Sequence, residues 1–158
     1  MKKADLLPIA KNLLGYFTYG TDDERTDWDD WEHPKKDGHA DCSSFVWLVM
    51  KHAGCEVEDE PFSTPEMEQD AKGDHVFFQE VTPEESEAGD VIIINIGVGY
   101  GPDGHTGILL EPYHGPETQI IEMGGDSHGS VHEANVLDSF GQKMLTEGRL
   151  TLARPLIK

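Results

Sequence analysis

Cys42 follows Asp41 directly and opens an apolar run in the stretch GHADCSSFVWLVMKHAG, residues 38–54. A thiol on the first turn of a helix meets the positive end of the helix dipole and free backbone N–H groups, and both favour the thiolate. The same N–H groups can receive an oxyanion. A buried cysteine packed as a small apolar residue fits the position equally well. A nucleophilic thiol needs a base, and the chain holds eight histidines. His105 stands out in GPDGHTGILLE, because it opens an apolar strand just after a glycine-rich turn. A base needs an orienting group in its turn. Glu122 lies among Ile120, Ile121 and Met123 in TQIIEMGG, where a carboxylate is costly unless paired. If the two strands run antiparallel, Glu122 can lie beside His105. The plain alternatives are a histidine satisfying a turn and a glutamate facing solvent from a half-exposed strand.

The elements that must carry these residues can be read from pattern. Residues 5–14 predict a short amphipathic helix, with Pro8 in its first turn. Residues 42–54 predict a second, with Phe45, Val46, Leu48, Val49 and Ala53 on one face, Asp41 as cap and Gly54 as terminator. Residues 63–71 predict a third, with Ser63 and Glu66 as a capping box around Pro65. HVFFQEV, GDVIIINI, GHTGILLE, TQIIEMGG, GSVHEANV and RLTLARPLI then read as short strands separated by Gly, Pro and Asp. Helices first and strands after predict an α+β fold, with N-terminal helices packed on a central antiparallel sheet.

The chain has 158 residues, the size of one domain, and 1–158 is read as a single domain. It carries 31 acids against 12 bases, a net charge of −19, which argues against nucleic acid and anionic membrane surfaces as partners. No run approaches the ~20 apolar residues of a membrane helix. The first sixteen residues hold Asp5, Pro8, Lys11 and Asn12 and carry no recognisable signal peptide. A protein of this sequence acting outside a cell would leave by another route, as a phage-released protein, an excised domain or an injected effector. Cys42 and Cys55 are the only cysteines. A helix between them would separate them by roughly 20 Å, beyond the ~7 Å a disulfide allows, so Cys42 is expected to be a free thiol.

DCSSFVWLVMKHAG, AGDVIII, GHTGILLE and IIEMGG, in that order and spacing, resemble the papain-like peptidoglycan hydrolases: NlpC-like cell-wall peptidases, CHAP amidases and phage lysin amidases. The likeness covers about residues 16–135. It implies a papain-like core, Cys42 as nucleophile, His105 as base and Glu122 at the third position, where many NlpC-like members carry histidine and CHAP-like members often an acid. It implies hydrolysis of an amide bond in peptidoglycan through a thioester, with stem peptides as partners, no cofactor, no metal and a monomeric enzyme. Two specificities fit, an endopeptidase next to D-Glu and an N-acetylmuramoyl-L-alanine amidase. A non-catalytic wall-binding or calcium-binding module on the same fold is the reading from another class. YFTYG, 16–20, is similar to the family's Tyr-Gly segment and puts Tyr19 near the thiol, with Asp41 and Ser43 beside it at the substrate.

Between about 20 and 40 lies an acidic insert read as a long connection, with seven acids from Asp22 to Glu32 together with Trp28 and Trp31. It is expected to wall the substrate groove, offering carboxylates to an amine of a stem peptide and Trp28 or Trp31 as stacking surfaces. Calcium ligation and a solvated acidic loop are the rival readings. HGSVHE, 128–133, has the look of a reversed zinc-helix motif, but its Gly, Ser and Val favour turn and strand over the helical spacing that His128 and His132 would need. GGDSHG, 124–129, reads as a turn on the rim of the site.

Overall fold

Asp41 starts the element on which the site depends. Its side chain accepts from the Ser44 N–H while the Ser44 hydroxyl accepts from the Asp41 N–H, a reciprocal cap that fixes where the helix Cys42–His52 begins. In the computed structural model, which describes residues 5–124 and 129–158, the order is α1 (Leu7–Asn12), β1 (Thr18–Tyr19), a 3-10 turn (Asp22–Arg25), β2 (Thr26–Asp30), β3 (His33–Ala40) and α2 (Cys42–His52). Then follow α3 (Thr64–Lys72), β4 (Phe78–Val81), β5 (Val91–Asn95), β6 (Gly104–Leu109), β7 (Gln119–Met123), β8 (Val131–Asn135), α4 (Val136–Glu147) and β9 (Arg149–Pro155). The α+β class expected from the sequence is the class observed.

Six strands form the main sheet in the order β4-β9-β5-β6-β7-β8, with every pairing antiparallel. Val91, Ile93, Ile108, Ile121 and Met123 face α2 and α3 in the larger core. Ile92, Ile94, Leu109, Ile120 and Leu152 face the other way, onto Val136, Phe140 and Met144 of α4. Helices on both faces explain why β5 reads as a continuous apolar run with all five residues buried.

Two regions depart from the expectation. The insert at 20–40, expected as a long connection, carries strands: β2 and β3 form an antiparallel hairpin, and β1 joins β3 in parallel. Gly38 makes the hairpin possible, since a Cβ there would stand 2.0 Å from the Asp27 carbonyl oxygen at the bulge between Asp27 and Asp29. The second departure is α4, for which no helix was foreseen. Its signal is interrupted by Gly141, whose φ of 85° breaks the helical path inside the element. Asn135 caps it through the Asp138 N–H.

Candidate active site

The capped α2 delivers Cys42, and the strand β6 delivers His105 as its second residue. Cys42 is 6 % exposed and His105 7 %. The thiol and the imidazole interact through charge and a hydrogen bond. His105 Nε2 donates to Glu122 Oε1 at 2.7 Å, with Ser139 Oγ 3.1 Å away, which leaves Nδ1 as the nitrogen toward the sulfur. The orientation is also set sterically, because Phe140 meets the imidazole edge-on at 4.7 Å between centroids.

Glu122 is fully buried. Its cost of desolvation is offset by three donors: His105 and the Ser139 hydroxyl on Oε1, and His132 Nε2 on Oε2 at 2.8 Å. Alternation along β7 places Glu122 on the same side as Ile120, the face covered by α4, and so within reach of Ser139. Burial alone would raise the Glu122 pKa, but the hydrogen bond and charge of His105, followed by Ser139 and His132, bring it below its ordinary value. Burial likewise works to lower the His105 pKa. The Cys42 charge and hydrogen bond, then those of Glu122, overcome it and raise the value from 6.5 to about 10. A protonated imidazole backed by an ionised carboxylate is the pair this arrangement favours.

Around the thiol, Tyr19 is 37 % exposed, and its phenol is pushed up to about 12 by burial, with the Cys42 and Asp41 charges adding and Arg25 opposing. Its ring lies against Gly124, where a Cβ would stand 2.6 Å from Tyr19 Cε2. Asp41 and Ser43 flank the sulfur in sequence, but their side chains are engaged by Arg25. Its Nε donates to Asp41 Oδ2 at 2.9 Å and its Nη2 to Ser43 Oγ at 2.8 Å. The same guanidinium donates to the carbonyls of Pro61 and Phe62 at 3.1 and 2.7 Å. Arg25 therefore ties the insert, the head of α2 and the approach to α3 together.

The two tryptophans expected at the substrate lie elsewhere. Trp28 is 4 % exposed, stacked on Trp47 at 6.2 Å and tilted against Phe17, so it is core. An indole at the middle of β2 gains more from burial against α2 than from exposure. Trp31 packs edge-on against His52 with Lys51 4.7 Å from its ring centre, at the far end of α2 from Cys42, about 15 Å away along an eleven-residue helix. The acidic side chains of the hairpin are spread along it and pair with bases of β3: Asp27 with His39 at 2.7 Å and Lys35 at 3.5 Å, Asp30 with His33 at 3.3 Å. Among the described residues no three His, Cys, Asp or Glu side chains converge as a metal site. His128 and most of the GGDSHG turn lie outside the described residues. Cys55 is free and buried, its thiol pushed up to about 11 by burial alone, and it pairs with Ile157 through the backbone.

Sequence reasoning missed Arg25 and Ser139 and took His132 only as a discarded metal ligand. Arg25 carried a signal, being the lone Lys or Arg among the seven acids of 22–32. Ser139 carried none, since the helix presenting it was not foreseen.

A thiol at a capped helix head, an imidazole on the adjoining sheet and a buried carboxylate behind it define the thiol–imidazole–carboxylate class on a papain-like α+β fold. The chain belongs to the NlpC/P60 family, whose sequence profile matches residues 16–149. No curated protein matches it by sequence. Its fold is similar to a crystal structure described as similar to lipoprotein, NLP/P60 family, from Staphylococcus aureus, at 20 % identity with a TM-score of 0.56. That match covers 99 % of this chain and 44 % of the other, so the chain spans less than half of that protein. A wild-type endolysin, LysIME-EF1, is a more distant likeness: 19 % identity, TM-score 0.46, 99 % of this chain and 66 % of that one.

Proposed function

We propose that this protein is a cysteine hydrolase of bacterial peptidoglycan, a stem-peptide endopeptidase cutting next to D-Glu, that acts from a single domain and at the cell wall. The observation that carries the chemistry is the Cys42–His105–Glu122 chain, with the imidazole held between thiol and buried carboxylate. Family membership carries the substrate.

The Cys42 thiolate attacks the amide carbonyl carbon. The oxyanion is received by the backbone N–H groups of Cys42 and Ser43, which precede the Ser44 and Phe45 N–H groups used by Asp41 in the cap. His105 gives its Nδ1 proton to the departing amine as the C–N bond breaks, which leaves a thioester on Cys42. It then takes a proton from water as that water attacks the thioester, and Cys42 leaves as the thiolate as the C–S bond breaks, which restores the starting pair and releases the acid. Glu122 holds Nε2–H throughout, so that Nδ1 is always the nitrogen that exchanges the proton. Tyr19, a neutral phenol whose value is pushed up to about 12, is the donor assigned to the bound peptide beside the thiol. Asp41 and Ser43 serve this site through Arg25 and the cap, shaping the helix head more than touching substrate.

Digestion of purified sacculi with wild type and Cys42→Ala tests the proposal. New termini in the wild type alone, read by mass spectrometry as D-Glu carboxyl ends, are the expected result. Equal digestion by Cys42→Ala would overturn it, and free L-Ala amino ends would replace the endopeptidase with an amidase.

A further inference from the structure

We propose that His132 is a positioning residue of this active site, holding the second oxygen of Glu122 so that the first stays aimed at His105. The role rests on the catalytic reading of Cys42 and His105 given above.

His132 sits directly opposite Glu122 in the β7–β8 register. Its Nε2 meets Glu122 Oε2 at 2.8 Å and its Nδ1 meets the Ser130 carbonyl oxygen at 2.6 Å. The imidazole is thus fixed at both nitrogens, on one side by its own strand and on the other by the carboxylate. The two Glu122 oxygens are divided between partners: Oε1 takes His105 and Ser139, and Oε2 takes His132.

The terminal torsion of a glutamate is soft and roughly two-fold, so a carboxylate held at one oxygen can turn about its own axis. A turned carboxylate would still be an anion, but its oxygen would no longer lie on the His105 Nε2–H line, and Nδ1 would lose its aim at the sulfur. His132 closes that freedom. It also supplies the donor without which Oε2 would be a buried, unpaired acceptor. Its side chain is 24 % exposed whereas Glu122 is wholly buried, so the positioning contact reaches the surface while the group it positions does not. His132 touches no reacting atom on the path given for the reaction and acts only through Glu122. Ser139 shares Oε1 with His105 and does not restrain the other oxygen, so it cannot substitute.

The test contrasts two amides. In His132→Gln the side-chain amide N–H reaches the Nε2 position and can still donate to Oε2. In His132→Asn the shorter amide reaches only the Nδ1 position and the Ser130 carbonyl. Both variants and the wild type are assayed for kcat and KM on sacculi-derived stem peptides, for thermal melting, and for the rate of Cys42 alkylation by iodoacetamide followed on the Cys42 peptide. The expected result is a kcat lowered about ten- to a hundredfold in His132→Asn with little change in KM, slower alkylation in parallel, and near wild-type values in His132→Gln. Equal kcat and alkylation in the two variants, whether both normal or both impaired, would overturn the role, since the Oε2 contact would then make no difference. A wild type whose Cys42 alkylates like an ordinary thiol removes the catalytic reading itself, and this shows before either variant is made.

Discussion

Two carboxylates among the described residues are completely buried, Asp90 at the start of β5 and Glu122 in β7, and they are neutralised in opposite ways. Asp90 is gripped by Arg154 of β9, whose Nε and Nη2 reach its two oxygens at 3.0 and 2.9 Å. Glu122 is held by two imidazoles and a hydroxyl. A guanidinium never gives up its proton near neutrality, so the first pair is a permanent fastening between strands. Imidazoles do exchange protons, so the second carboxylate can stabilise a charge that comes and goes. Under the proposed function, the same desolvation cost serves structure in one place and chemistry in the other.

The contrast predicts a graded set of outcomes. Cys42→Ala should abolish turnover while leaving the melting transition in place, because alanine suits the first turn of α2; sacculus digestion and calorimetry together check this. Glu122→Gln should lower kcat by about 10²–10⁴, the range that a lost acid–base orientation commands, and a small loss would mean that His105 needs no anion behind it. Arg154→Met should behave in the reverse sense, destabilising by about 3 kcal/mol by leaving Asp90 buried and unpaired, with kcat of the folded enzyme unchanged. Urea melts beside a rate assay separate the two effects, and a kcat loss in Arg154→Met would erase the distinction between the carboxylates.

The pH dependence follows from His105. Its folded-state value is raised above 6.5, so the stability it contributes is fully present below pH 6.5 and is lost as pH rises through about 10. Thermal melts from pH 6 to pH 10.5 should show a decline in the wild type that is smaller in Glu122→Gln, whereas the Asp90–Arg154 pair should add none of it. The smallest effect belongs to the hairpin. Replacing Asp27, Asp29 and Asp30 with Asn should leave the melting transition essentially in place, because these pairs are exposed and screened by solvent. Unchanged binding of stem peptides by that triple variant would also remove the carboxylates of the insert from the substrate site.

What the sequence disclosed followed local rules. The cap at Asp41, the capping box at Ser63 and Glu66, and six strands between turn residues were legible because each signal lies within a few residues. The antiparallel neighbourhood of His105 and Glu122 could be drawn from strand order alone. What stayed hidden depended on distant partners. Trp28 read as an exposed ring in an acidic stretch, because nothing nearby announces that Trp47 covers it. Arg25 was passed over among the acids, because its partners lie at 41, 43, 61 and 62. Ser139 was invisible because a glycine inside α4 masks the periodicity of the helix that carries it.

The position of β9 bears on how the molecule comes to exist in a cell. Although late in the chain, it lies inside the main sheet, with β4 on one side and β5 on the other. A nascent chain still attached to the ribosome before residues 149–155 emerge has no partner for β4 and leaves one edge of Val91–Asn95 uncovered. That edge is the most apolar strand of the protein and a template for pairing with other chains. Closure of the sheet thus waits for residues 149–155, and a translation product that stops before β9 would expose an adhesive strand edge.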